Sequence, residues 1–502
     1  MKYIKKLLAL ALAVMLVMSL ATTAFAAEGN SITITGTAGH TYEVYQIFTG
    51  DLSGNVLSNI VWGNGVTAAG QTALGAAATV AASLSEANIK EFQADVDQYL
   101  TNGTTMTANG NTYTLDNLAA GYYLVKDKDG TQDDEGEAYT AYIIRVVGEV
   151  SVNPKDSVPT VDKSVTSEGT NADDFEIGDT VTFILKATLG DNLDEYKTYK
   201  VIFHDTMSAG LTFKEYVSAT LGTTDVKANF AMTQNGQALT FSCDDIIDLG
   251  AKSGDTITIT YTATLNSGAE IGQPGNSNKV KLEYSNDPNW DADGDGTPDN
   301  PNEPDEPTGE TPEDEVLVFT YELDVTKVNG ANVNEKLEGA EFVLLNSDKS
   351  KVATVVDGKL TGWVDVPAEG AAWPTNTTLT SDANGLFAIA GLDADTYYLR
   401  ETKAPAGYNL LASDVKVVIS ATLNTAEDSA ALTALTISVD NGTAENGILD
   451  TGVVNATIKN NAGATLPETG GIGTTIFYVL GSVLVLAAVV LLVTKKRMAS
   501  AK

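Results

Sequence analysis

Apolar and polar residues alternate with period two along most of the chain. Runs such as TVTFILKATL, DTITITYTATL and EFVLL are rich in Val, Ile, Thr, Tyr and Phe and are separated by Gly, Asn and Asp clusters. Such runs predict many short strands, and hence an all-β chain of tandem β-sandwich domains. One stretch has a helical period instead. Leu84, Ile89, Phe92, Val96 and Leu100 share one face of a helix expected over Ser83–Leu100, with Ser83 or Ser85 as its cap.

Both ends depart from alternation. Lys2, Lys5 and Lys6 precede the apolar run Leu7–Leu20, and Ala24-Phe25-Ala26 follows at A-x-A spacing. This predicts a secretory signal peptide, residues 1–26, cut after Ala26. Residues 474–494 carry no charge and are long enough for a transmembrane helix, and the basic tail 495–502 follows, starting with Lys495, Lys496 and Arg497. That order puts the body outside and the tail in the cytoplasm. The formal charge is −36, with basic clusters at the two ends, so the exported body is more acidic still. Such a surface repels nucleic acid and anionic lipid. The single cysteine, Cys243, excludes an intrachain disulfide, so an exported chain of this length needs another source of robustness.

Two segments interrupt the strand pattern. NPKDSVPT holds two prolines, and an acidic, proline-rich stretch covers 291–315. Read as linkers, they divide the body into domains 27–155, 156–290 and 316–462.

Strand parity then exposes polar residues on apolar faces, since residues i and i+2 share a face. Lys163 lies with Val161 and Val165, Asp205 with Val201 and Phe203, and Asn278 with Val280 and Leu282. In the third domain Lys327 lies with Leu323 and Val325, Glu401 with Tyr397 and Leu399, and Asn455 with Val453. Asn460, on the same final strand, is an alternative to Asn455, and Glu215 and Asp225 are alternatives to Asp205. Burial lowers a lysine pKa and raises that of a carboxyl group. A neutral amine beside a carboxamide and a protonated acid can react once, releasing ammonia and leaving a Lys–Asn isopeptide bond.

Specific motifs carry a resemblance. YYLRETKAPAGY (397–408) resembles the E-box of Gram-positive surface proteins with collagen-adhesin B-type (CnaB-like) domains. Leu466-Pro467-Glu468-Thr469-Gly470, followed by an apolar helix and a basic tail, resembles a sortase cell-wall sorting signal. VSVNPKDS resembles the pilin motif of sortase-assembled backbone pilins, although Asn153 and Asp156 depart from the family's flanks of Lys155. The resemblance covers essentially the whole chain. It implies immunoglobulin-like, Cna-type sandwiches, sortase cleavage between Thr469 and Gly470, and Lys155 as the acceptor amine. It also assigns Glu401 as the assisting acid for Lys327 and implies a Lys163–Asn278 bond. Aligning LAAGYYLVKDKDG with LDADTYYLRETKAPAGY places Lys126 opposite Glu401, so the first domain is expected to lack an isopeptide bond and to be the softest part of the fibre.

The resulting expectation is a major pilin subunit, secreted and anchored on a Gram-positive cell wall, with the precursor transiently in the plasma membrane. Its implied partners are pilin-specific and housekeeping sortases, further copies of itself, minor pilins, peptidoglycan and a host receptor. The alternative is a wall-anchored monomeric adhesin or minor pilin that binds a host ligand. No turnover site is expected: His40 and His204 are far apart, and phosphate-loop and zinc spacings are lacking. No cofactor is required. The acids Asp291, Asp293, Asp295 and Asp299, with Gly294 and Gly296 between them, have a spacing that suits Ca²⁺, although Asn302 stands where a bidentate Glu would complete an EF-hand loop.

Overall fold

A computed structural model describes residues 30–36, 38–53, 56–85, 88–128, 131, 138–152, 157–288, 307–426, 429–463 and 472–499. Three β-bodies follow one another, and alternation explains their layering. In the strand Thr256–Leu265 every second side chain, from Ile257 to Leu265, is buried.

The N-terminal body packs the sheet holding Asn30–Thr35, Thr112–Leu118 and Glu149–Val152 against one holding Tyr42–Ser53, Val56–Trp62, Gly121–Asp127 and Ala141–Val146. The outer face of the second sheet is covered by helices Ala68–Leu74, Ala77–Ser83 and Ile89–Asp97. The single helix expected over Ser83–Leu100 is therefore shorter. Ser83 ends the preceding helix, and Asn88 breaks the run by accepting from Ser85 N at 2.6 Å. The expected apolar face is nonetheless intact, with Phe92 and Val96 buried and Leu84, Ile89 and Leu100 packed beside them.

The middle body is a two-sheet sandwich. Thr160–Val165, Thr180–Thr188, Thr256–Leu265 and Leu211–Leu221 form one sheet. Asp314–Phe319, Asn276–Ser285, Val201–Met207 and Ala238–Cys243 run in order through the other. This corrects the expected boundary. Asp314–Phe319 pairs with Asn276–Val280, and Val316 and Val318 lie in the middle core. The stretch expected as an interdomain linker is thus an insertion in the middle domain. Proline and acid content marks an exposed segment but not which domain it leaves. Phe319 and Tyr321 already belong to the next core. The joint is close: Ala394 N donates to Asp174 at 2.7 Å, Trp363 Nε1 to Glu176 at 2.6 Å and Gln273 Nε2 to Leu432 O at 2.7 Å.

In the C-terminal body the first strand, Tyr321–Asn329, lies between Leu386–Leu392 and the last strand, Val453–Asn460, to which it runs parallel. Glu341–Leu345, Thr396–Lys403 and Val415–Asn424 continue the same sheet. A helix over Ile472–Ala499 follows, and its span Ile476–Met498, with mean hydropathy 2.9, is long and apolar enough to cross a membrane. Lys496 and Arg497 in its last turn complement the negative end of its dipole.

Candidate functional site: buried lysine, carboxyl and asparagine clusters

In the C-terminal domain Tyr321, Leu323, Val325 and Lys327 alternate inward, and Lys327 has no exposed surface. Glu401 follows Tyr397 and Leu399 onto the same core. The last strand buries Val454, Ala456, Ile458 and Asn460 and turns Asn455 outward. Asn455 is therefore not placed against Lys327; it is exposed beside Asp324. Asn460 is the asparagine in the cluster. Lys327 Nζ donates to Asn460 Oδ1 and lies 3.2 Å from Glu401 Oε1. Asn460 Nδ2 lies 2.9 and 3.0 Å from the two Glu401 oxygens and 2.9 Å from Asn409 O. Leu411 N donates to Glu401 Oε2 at 2.8 Å and fixes the carboxyl group. The Phe342 ring, 5.1 Å from Nζ, closes the pocket. Burial pushes the Lys327 amine below the ordinary lysine range, against the pull of Glu401.

The middle domain builds its cluster across the two sheets. Lys163, on the first strand, donates to Asp205 Oδ2. Asp205 and Asn278 project from the facing sheet, and all three are at most 1% exposed. Glu215 and Asp225, the alternative acids, are exposed on strands of the Lys163 sheet. Burial lowers the Lys163 pKa and raises that of Asp205, which favours the neutral pair, although their mutual attraction opposes both shifts. One residue here escaped the sequence reading. Tyr261, fully buried, donates its hydroxyl to Asp205 Oδ1 at 2.8 Å and accepts from Asn278 Nδ2 at 2.6 Å. Its parity with Ile257, Ile259 and Ala263 was the available signal, because a core tyrosine needs a partner for its hydroxyl.

The N-terminal domain corrects the internal alignment. Its core-facing residues are Tyr123, Val125 and Asp127, so Asp127 rather than Lys126 corresponds to Glu401. Lys126 points away and meets Asp97 at 2.9 Å. Buried Asp127 meets His40 Nδ1 at 2.8 Å and accepts from Thr140 N at 2.8 Å and Thr140 Oγ1 at 2.9 Å. The other histidine, His204, lies on the face opposite Asp205 and bonds Glu283 at 2.7 Å. A Glu310 oxygen completes a potential metal-binding group there, but Lys281 Nζ already supplies Glu310 with positive charge at 2.6 Å. Ala26, Lys155, the 466–470 motif and the acids Asp291, Asp293, Asp295 and Asp299 lie outside the described residues.

Comparison with known families and structures identifies this architecture. Residues 177–288 match the Gram-positive pilin backbone subunit 2, Cna-B-like domain. Residues 321–430 match the SpaA prealbumin-like fold domain, and residues 458–500 match the LPXTG cell wall anchor motif. The chain carries the backbone, prealbumin-like and anchor modules that these pilin families describe. The chain is 25% identical, over 465 residues, to the trypsin-resistant surface T6 protein of Streptococcus pyogenes serotype M6, covering 79% of this chain and 78% of that one. Its fold is shared with the solved T6 backbone pilin of that serotype, with TM-score 0.56, 19% identity and coverage of 89% of this chain and 100% of the other. The major pilin SpaD of Corynebacterium diphtheriae gives TM-score 0.50 at 19% identity, with coverage of 89% and 100%. The matched anchor motif indicates a surface protein anchored to the cell wall, and the apolar C-terminal helix fits a transient membrane stage.

Proposed function

We propose that this chain is the shaft subunit of a covalent pilus in which Thr469 of one copy is joined to Lys155 of the next. A sortase would cleave between Thr469 and Gly470, hold Thr469 as a thioester and pass it to the Lys155 amine. The last subunit would go to peptidoglycan. Within each subunit, Lys163 would bond to Asn278 with Asp205 as the assisting acid, and Lys327 to Asn460 with Glu401 assisting. In the second case Nζ attacks Asn460 Cγ, a C–N bond forms, the Cγ–Nδ2 bond breaks and Nδ2 leaves as ammonia. Glu401 accepts a proton from Nζ and returns one to Nδ2.

The observation that carries this reading is the direct contact of amine, carboxyl group and carboxamide in a closed pocket bridging the first and last strands. Such a pocket suits a crosslink better than an ion pair left buried, because burying charges costs about as much as their attraction returns. The chemistry is a single turnover, so the chain acts as a sortase substrate and not as an enzyme. Two measurements test the proposal. Exported 27–469 should be lighter than its sequence by two ammonia molecules, and a mass equal to the sequence would refute the internal bonds. Lys155→Ala should abolish the SDS-resistant ladder of high-mass species on the cell surface. A ladder that survives would point to a different acceptor or to a monomeric adhesin.

A further inference from the structure

The two clusters differ in what touches the leaving nitrogen. In the C-terminal site both Glu401 oxygens reach Asn460 Nδ2 directly. In the middle site the Tyr261 hydroxyl stands between acid and amide, 2.8 Å from Asp205 Oδ1 and 2.6 Å from Asn278 Nδ2. Asp205 uses its other oxygen for Lys163. Asn278 Oδ1, also buried, has no hydrogen-bond partner, so the amide is held through its nitrogen alone. We propose that Tyr261 is a catalytic residue of the middle domain, carrying the proton from Asp205 to the departing nitrogen of Asn278. The inference rests on the Lys163–Asn278 reading above.

The step balances as follows. The neutral Lys163 amine attacks Asn278 Cγ, and one Nζ proton passes to Asp205 Oδ2. Attack turns Nδ2 from an amide donor into an amine acceptor, so both hydrogen bonds of Tyr261 reverse: a proton on Asp205 Oδ1 passes to the Tyr261 oxygen as the Tyr261 proton passes to Nδ2. The Cγ–Nδ2 bond breaks and ammonia leaves. Asp205 ends as a protonated acid and Tyr261 as a phenol, as they began. The tyrosine starts protonated because burial first, and the nearby Asp205 carboxyl second, push its pKa well above the ordinary phenol value. The Lys163 ammonium or amine lies 5.4 Å from the Phe183 ring centre and 5.5 Å from that of Tyr261, so the pocket is walled by rings and the relay has no bulk water to replace it.

The test follows both crosslinks in one molecule. Chain 27–469 is made by cell-free translation and sampled over time, and the Lys163–Asn278 and Lys327–Asn460 peptides are quantified by mass. In Tyr261→Phe the Lys327–Asn460 bond should form at the wild-type rate, while the Lys163–Asn278 bond should form at least about 100-fold more slowly, the usual scale for a lost general acid. An unchanged Lys163–Asn278 rate in that variant overturns the proposal. A second measurement needs no lost hydroxyl: with 3-fluorotyrosine in place of every tyrosine, the more acidic phenol should change the Lys163–Asn278 rate but not the Lys327–Asn460 rate. Equal ratios with and without fluorine also overturn it. If the wild-type chain forms Lys327–Asn460 but never Lys163–Asn278, the middle-domain bond itself is refuted, and the relay with it.

Discussion

The N-terminal and C-terminal domains place an acid at the same point and use it differently. In both, the first and last strands run parallel and side by side. In both, an inward acid lies four residues after a tyrosine that faces the same core, Asp127 after Tyr123 and Glu401 after Tyr397. In the C-terminal domain the neighbouring first and last strands present Lys327 and Asn460 to that acid. In the N-terminal domain the corresponding strands bury Ile32, Ile34 and Val152, and Asp127 instead holds His40 and Thr140. An acid alone therefore anchors a loop, and only the amine and amide together make a site that can close. Chain order accounts for the difference. In the proposed polymer, tension enters a subunit at Lys155 and leaves at Thr469, so everything before Lys155 hangs off the load path. In that polymer the domain that lacks such a cluster among its described residues is the one that would need no crosslink, and its softness would not weaken the shaft.

The widest separation between the two domains should come from Glu401→Ala. It leaves Lys327 buried without its acid and prevents the bond, so one ammonia of mass returns. Losing one partner of a buried ion pair costs about 3–5 kcal/mol. The C-terminal domain should then melt at least about 10 °C lower by calorimetry, with the N-terminal transition unmoved. Pulled between residues 155 and 469, the wild-type chain should yield no length between Lys327 and Asn460, and the variant should release that segment, roughly 400 Å. A wild-type trace that releases that length would refute the bond.

The middle domain yields a smaller effect of the same kind. Its proposed bond ends at Asn278, but its last strand is Asp314–Phe319. Neither proposed crosslink spans the chain between Asn278 and Lys327, where Asp314–Phe319 is held by strand pairing and by core packing of Val316 and Val318. Pulling should release at most this segment, on the order of 150 Å. Release of the whole middle domain would contradict a bond at Lys163.

Much of this was legible in the sequence, for a definite reason. Where one face of a strand is buried and the other wet, alternation marks the inward residues, as for Leu323, Val325 and Lys327 or Val201, Phe203 and Asp205, although parity alone leaves Glu215 and Asp225 open beside Asp205. The reading failed where apolar residues occupy both parities. In VVNATIKN, Val453 suggested one face, yet the longer series Val454, Ala456 and Ile458 is the one inside. In YYLVKD, Leu124 packs toward the helices while Tyr123 and Val125 face the other sheet, so the register slipped by one and Lys126 took the place of Asp127. Helices Ala68–Leu74 and Ala77–Ser83 carry few large side chains to show a period. The acidic stretch before Asp314 looked like a linker because nothing local records that the chain returns to the middle sheet.

A third variant perturbs the acid that does no crosslinking. Asp127→Ala would remove the buried acceptor that His40 and Thr140 share, at a cost of about 1–3 kcal/mol. The N-terminal domain alone should melt several degrees lower, with its amides exchanging faster. The mass should still lack two ammonia molecules and the surface ladder should persist. A missing ammonia loss in this variant would mean that Asp127 takes part in a bond, and the contrast between the domains would fail.

The smallest effect is the most discriminating. Asn455 and Asn460 are five residues apart on one strand and therefore on opposite faces, one exposed and one closed over by Lys327 and Glu401. Asn455→Ala removes a solvated amide and should change stability by no more than about 0.5 kcal/mol. The mass deficit should remain at two ammonia molecules, and the crosslinked peptide should still contain residue 460. Asn460→Ala keeps the strand but removes the reacting carboxamide, so it should restore one ammonia of mass. If the assignment were reversed, the two variants would exchange these masses. No change in the core accompanies Asn455→Ala to blur that result, because the side chain it removes does not touch the core.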